Sequence, residues 1–70
     1  MIKLTEYDFE QLRKVALRKK KRAEERTGKR FKGGKIDHLY CNFGYVVLHI
    51  DEDGILHKLE LSDGSQVDAR

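Results

Sequence analysis

Residues Thr5 to Gly28 predict one long helix, and this stretch constrains the fold more than any other part of the chain. Thr5 is a favourable N-cap residue, and Asp8 follows three positions later, as in a capping box. Apolar residues recur at helical spacing, no proline interrupts the run, and a glycine is typical of the position just after a helix. We therefore predict a helix over residues 6–27.

The predicted helix has an apolar face mainly in its first half. The members of this face are Phe9, Leu12, Val15, Ala16 and Ala23. Between Arg18 and Arg26, Ala23 is the single apolar residue. We expect the first half to pack on the rest of the fold, and the second half to project into solvent or onto a partner.

From residue 36 onward, β-branched and aromatic residues replace the helical pattern. Turn sequences rich in Asp and Gly separate the apolar runs into antiparallel strands. The predicted strands cover residues 36–43, 45–50, 55–61 and 66–68, the last as a short edge strand. Between helix and sheet, the glycine-containing residues 28–35 predict a flexible basic loop.

The expected fold is α+β, and it forms a single small domain over residues 1–70. One long N-terminal helix, 6–27, packs on an antiparallel sheet, 36–68. The sheet has three strands, or four if Ile2–Leu4 joins it. A chain of this length buries a small core, so a homodimer that completes the core is an open alternative.

The hairpin after residue 44 predicts its own register. A four-residue turn pairs Leu48 with His57. This register places Ile55 and His57 on the apolar face under the helix, and Leu56 on the opposite face. On the preceding strand, the apolar face is expected to be extended by Leu39, Cys41 and Phe43.

The feature most informative about function is the basic stretch, residues 13–35. It contains twelve lysines and arginines against two glutamates, a net charge of +10, whereas residues 36–70 carry −5. Such a stretch creates a positive potential that spans several phosphates. We predict a small, non-catalytic nucleic-acid-binding protein that contacts the DNA or RNA backbone with a basic helix end and loop.

The predicted nucleic-acid-binding residues are Arg18, Lys19, Lys20, Lys21, Arg22, Arg26, Lys29, Arg30, Phe31, Lys32 and Lys35. Phe31 lies between two cations and is expected to stack on an unpaired base. No helix-turn-helix, zinc-finger, KH or RRM signature accompanies these residues. The choice between DNA and RNA stays open.

An alternative function follows from the same charge pattern. The chain is then a protein-interaction or inhibitor module, like small phage- or plasmid-encoded regulators, that docks on a protein or nucleoprotein target by charge complementarity. A second binding surface could be formed by the acids of the turns, Asp51, Glu52, Asp53 and Asp63. The simpler interpretation of these acids is that aspartate favours turns.

Other chemistries find little support in the sequence. His38 and Cys41 have the spacing of zinc ligands, with His49 and His57 as further candidates, but a structural zinc site needs four convergent ligands. A calcium loop of the EF-hand type is absent. A P-loop is excluded by its spacing and by Ile36 in place of Ser or Thr. We expect no metal, no cofactor and no catalytic site.

The cellular setting is expected to be cytoplasmic, without membrane contact. A single cysteine excludes an internal disulfide. No apolar N-terminal run indicates a signal peptide, and no apolar run approaches the roughly 20 residues that span a bilayer.

Overall fold

The computed structural model describes residues 3–41 and 44–69. The elements in chain order are helix α1 and four strands: α1 Glu6–Thr27, β1 Gly34–Tyr40, β2 Gly44–Ile50, β3 Leu56–Glu60 and β4 Gln66–Asp68. The strands form one antiparallel sheet in the order β1-β2-β3-β4, and α1 covers one of its faces. The predicted α+β arrangement of one long helix on an antiparallel sheet is confirmed.

Helix α1 begins and ends where its sequence predicts. The Thr5 hydroxyl accepts a hydrogen bond from the Asp8 backbone N–H at 3.2 Å, and the Thr5 backbone N–H donates to the Asp8 carboxylate at 3.0 Å. At the other end, Gly28 adopts φ +70° and donates its N–H to the Glu24 carbonyl at 2.8 Å. Both ends therefore satisfy backbone groups that a helix otherwise leaves unpaired.

The core lies between the first half of α1 and the inner face of the sheet. Its largest fully buried side chains are Leu12, Leu48, Leu59 and Val46. Val15 and Ala16 complete the buried face of the helix, and Phe9 packs against the cluster at its edge. Each fully buried leucine contributes roughly 1.5–3 kcal/mol through removal of apolar surface from water.

The hairpin register differs from the prediction because the connection after Ile50 has five residues in place of four and because β3 contains a bulge. Leu48 pairs with Leu59, not with His57, and the register shifts by one residue between His49 and Ile50. A one-residue shift exchanges the faces of a strand. Leu56 is consequently buried, and Ile55, which was expected in the core, is 47% exposed.

Strand β1 presents the face opposite to the one predicted. Tyr40 is buried and Ile36 is partly buried against the core, whereas Leu39 is 60% exposed and Cys41 is exposed. The predicted role of Phe43 lies outside the described residues. Both alternating faces of this strand carry apolar side chains, so periodicity alone did not choose between them.

A hydrogen bond between α1 and β1 accounts for the observed face. The Tyr40 hydroxyl donates to the Asp8 carboxylate at 2.7 Å, and both residues are buried. This bond, together with burial, raises the pKa of Tyr40 to about 12. It anchors the end of β1 to the start of α1, because a buried carboxylate needs its hydrogen-bond partners.

The remaining differences concern the strand count and the loop. The fourth strand is β4, the predicted edge strand; Lys3 and Leu4 lie in no strand, and Ile2 is outside the described residues. Gly34 and Lys35 belong to β1, so the connection from α1 is shorter than predicted.

Candidate nucleic-acid interface

The predicted binding residues occupy three consecutive segments of the fold. Arg18 to Arg26 lie on the second half of α1, Lys29 to Lys32 lie in the connecting loop, and Lys35 lies on β1. Helix and loop are neighbours in space as well as in sequence, since Glu24 of the helix accepts a hydrogen bond from the Phe31 backbone N–H of the loop.

The second half of α1 was expected to project into solvent or onto a partner, but in the structure it is held by two contacts. The Glu24 carboxylate accepts a hydrogen bond from the Phe31 backbone N–H at 3.0 Å. Gly54, in the turn before β3, is buried so close to the helix that a Cβ atom there would lie 2.9 Å from side-chain atoms of both Leu17 and Lys20. The loop and the turn thus hold the helix from one side.

Three of the predicted cations already have carboxylate partners. The ion pairs are Lys20–Glu24 at 3.2 Å, Lys35–Glu60 at 3.9 Å and Arg30–Glu52 at 4.0 Å. The Glu24 pKa is lowered by its hydrogen bonds from the Phe31 N–H and from Lys20. These partly neutralised cations contribute less to the outward positive potential than unpaired cations do.

A second group of cations converges without any acidic partner. Arg18, Lys19 and Arg22 line a concave depression of about 200 Å³, and the fourth lining residue is His38 of β1. Within the described residues none of the three cations forms an ion pair. The depression therefore concentrates positive charge between two elements of secondary structure.

The positions of these residues are those where the core pattern would continue. Lys19 follows Leu12 by seven residues, which is two helical turns, and therefore continues the buried face of α1. On the sheet, His38 lies between Ile36 and Tyr40 on the inner face of β1. The depression is therefore lined by polar side chains at positions where apolar side chains would have extended the core.

The environment of His38 disfavours its protonated form. Burial lowers the pKa of His38, and the positive charges of Lys19 and Arg18 lower it further. Among the described residues the ring has no hydrogen-bond partner. In the sequence, His38 has only the spacing of a zinc ligand relative to Cys41; its position beside the predicted cations is visible only in the tertiary structure.

The other two histidines have carboxylate neighbours instead. His49 Nε2 lies 3.0 Å from the Glu60 carboxylate on the outer face of the sheet. His57 Nε2, in the bulge of β3, lies 2.9 Å from the Asp51 carboxylate. The structure therefore separates the three histidines, and of the three only His38 lines the depression formed by Arg18, Lys19 and Arg22.

Phe31 has a structural contact that the sequence did not reveal. Its ring is partly buried and packs against the hydrophobic core. Its backbone is held by Glu24. Stacking of this ring on an unpaired base stays a prediction, and it requires the ring to leave this contact.

The acidic turns show the local bonding that aspartate supplies to turns. The Asp51 carboxylate accepts N–H bonds from Asp53 at 2.9 Å and Ile55 at 3.0 Å. The Ile55 bond and His57 are the main causes of its lowered pKa. Asp63 accepts bonds from the Ser65 hydroxyl and backbone, which lower its pKa as well.

In residues 3–41 and 44–69, no group of three or more His, Cys, Asp and Glu side chains is placed to hold a metal ion. Helix α1 is the one helix in these residues, and it is not apolar enough to cross a bilayer.

Comparisons of this chain with protein-family models, with curated proteins and with solved structures found no match.

Proposed function

We propose that this chain binds nucleic acid through contacts to phosphate groups and has no catalytic role. The main support for the proposal is that some cations of the basic stretch form ion pairs with carboxylates and others do not. Acidic partners neutralise Lys20, Arg30 and Lys35, whereas Arg18, Lys19 and Arg22 converge without one. Clustered unpaired cations are costly in the free protein because like charges repel, and a polyanion relieves that repulsion.

The chemistry of the surface favours backbone contact over base reading. Lysine and arginine are mixed along α1 and the loop, and such side chains mainly bind phosphates and position a protein on nucleic acid. A cytoplasmic setting, expected from the cysteine content, belongs to the same proposal. The interaction or inhibitor module, with a protein target in place of nucleic acid, is the competing hypothesis.

The test is the salt dependence of binding to a labelled duplex and to a labelled single strand. If five or six cations engage, the log–log slope should be about −4.5 to −5.4 on a duplex, at about −0.9 per contact, and about −3.5 to −4.2 on a single strand, at about −0.7 per contact. No detectable binding at physiological salt would overturn the proposal in favour of the interaction module.

A charge-removal variant sharpens the test. Replacement of Lys19, Lys20, Lys21 and Arg22 by alanine should flatten the slope by about 3 on duplex DNA. A control outside the basic stretch is Lys58→Ala, which removes one cation on the outer face of the sheet. The control should leave the slope unchanged, and both proteins should melt like the parent.

A further inference from the structure

We propose that Arg18, Lys19, Arg22 and His38 form a discrete phosphate-binding site, and that its ligand is a phosphodiester group of the nucleic-acid backbone. This inference rests on the proposed function and deepens it. The proposed function requires phosphate contacts somewhere in the basic stretch, and this inference places one of them at a defined position.

The geometry of the helix brings the three cations together. Arg18 and Arg22 are four residues apart, so they lie on one side of α1 about 6 Å apart along its axis. Lys19 lies about 100° around the helix from Arg18, on the side of the sheet. Two planar guanidinium groups and one ammonium can surround a single tetrahedral anion, since guanidinium forks match phosphate oxygens.

His38 closes the depression from the sheet. The residue is only partly exposed and projects from the inner face of β1, a regular strand hydrogen-bonded to β2. Its ring is therefore held by a rigid element opposite the cations. A site built on two elements of secondary structure is better positioned than one built on a loop.

The volume and the wall of the depression also suit this ligand. About 200 Å³ is available, whereas one water molecule occupies about 30 Å³, so a phosphate group fits together with ordered water. None of its four lining residues is acidic. Glu25, three residues after Arg22, lines a different depression with Arg22 and Arg26 and forms no ion pair.

Binding at this site should be linked to protonation of His38. The charged groups facing the ring come from α1 and are cations, whereas its chain neighbour Asp37 is exposed on the other face of β1. Three further titratable groups, those of Tyr7, Tyr40 and Cys41, border an adjoining depression that His38 also lines. An anion in the site adds the missing opposite charge, which favours the imidazolium form and raises the pKa of His38.

The experiment is a pH titration of the histidine ring protons by NMR, in the free protein and with added ligand. The ligands are inorganic phosphate, a short single-stranded oligonucleotide, and the same oligonucleotide with a 5′-phosphate. With the oligonucleotide, the His38 pKa should rise by about one unit or more, as expected for a group that gains an opposite charge nearby. His49 and His57 serve as internal comparisons, and the change at His38 should exceed the change at either of them.

Two variants with equal charge test the position of the site. The site variant is Lys19→Gln with Arg22→Gln, and the control is Lys3→Gln with Lys14→Gln, two exposed cations outside the predicted binding residues. The site variant should lose about ten-fold more affinity for the oligonucleotide than the control, which corresponds to about 1.4 kcal/mol. Melting curves establish that both variants fold.

The outcomes separate this inference from the proposed function. If the oligonucleotide binds, but the His38 pKa does not move and both variants weaken equally, the site is overturned while nucleic-acid binding stands. If inorganic phosphate shifts His38 and neither oligonucleotide binds, nucleic-acid binding fails, and the ligand is a free phosphate in place of the backbone phosphodiester. If only the 5′-phosphorylated strand shifts His38, the site takes a terminal phosphate and the backbone assignment is wrong.

Discussion

The two halves of α1 have the same regular backbone but are held by different forces. In the first half Leu12 and Ala16 are completely buried, and Asp8 is bonded to both the helix cap and β1. No residue after Ala16 in the helix is buried. The second half depends on helix-forming residues, the Lys20–Glu24 pair and the contacts of one loop and one turn.

This difference separates the part of the helix that builds the core from the part to which we assign binding by proposal. In the first half, the helical positions that face the sheet carry apolar residues, and their burial stabilises the fold. In the second half, the continuing positions carry cations such as Lys19 opposite His38. Because these side chains are not needed for burial, they stay available for a charged ligand.

The largest expected effect is a loss of stability from a substitution in the first half of α1. Leu12→Ala should destabilise the protein by about 2–5 kcal/mol, because it removes a completely buried side chain and leaves a cavity. The control Lys21→Ala, in the exposed second half, should change the free energy of unfolding by no more than about 0.5 kcal/mol. Urea denaturation measures both, and equal losses would contradict the assigned division of the helix.

A smaller effect tests how the first half is anchored to the sheet. Tyr40→Phe removes the hydroxyl that donates to Asp8 and should cost about 1.5–3 kcal/mol, as for hydrogen bonds to charged groups. An unchanged free energy of unfolding would mean that the bond does not anchor β1.

The pH dependence of the same bond has a definite sign. The folded-state pKa of Tyr40, about 12, exceeds its ordinary value of 10.0. The contribution of the bond is therefore complete below about pH 10 and is lost as the pH rises toward 12. The difference in free energy of unfolding between wild type and Tyr40→Phe should therefore be smaller at about pH 11 than at about pH 9. Urea denaturation at both pH values measures it, and a constant difference would contradict the raised pKa.

The smallest effect tests whether the loop after the second half is fixed. Gly33 and Gly64 have nearly equal backbone angles, φ +91° and +90°, so alanine causes similar strain at both. At Gly33, however, the Cβ atom would lie 3.0 Å from the Ile50 carbonyl oxygen, whereas at Gly64 it meets nothing within 4 Å. Gly33→Ala should therefore destabilise by roughly 1 kcal/mol more than Gly64→Ala.

Thermal or urea denaturation of the two glycine variants decides this point. A clear excess loss at Gly33 would show that the loop is held against the end of the sheet in solution. Equal losses would mean that the basic loop moves independently of β2, as the sequence alone had predicted.

Much of the fold follows from local sequence, and the helix is the clearest case. Its bounds depend on Thr5, Asp8 and Gly28, which act within one turn of each end. The antiparallel order of strands likewise follows from short turns such as the one at Asp51. Interactions between residues close in the chain can be predicted from the sequence because few conformations satisfy them.

The candidate site was predicted only in part. The cations of the basic stretch are visible in the sequence, but their division into paired and unpaired groups is not. Glu52 and Glu60, which neutralise two of them, are more than 20 residues away in the chain. Such distant pairs depend on how the elements are packed, which periodicity does not specify.

By itself, the sequence determined the helix, the presence of an antiparallel sheet and the concentration of positive charge, since all three arise from neighbouring residues. The tertiary structure decided which face of β1 is inside and where β3 shifts its register. A strand with apolar residues on both faces has no local preference, and here the Asp8–Tyr40 bond across 32 residues favours one face. That choice turned His38 toward Arg18, Lys19 and Arg22 and so created the candidate phosphate site.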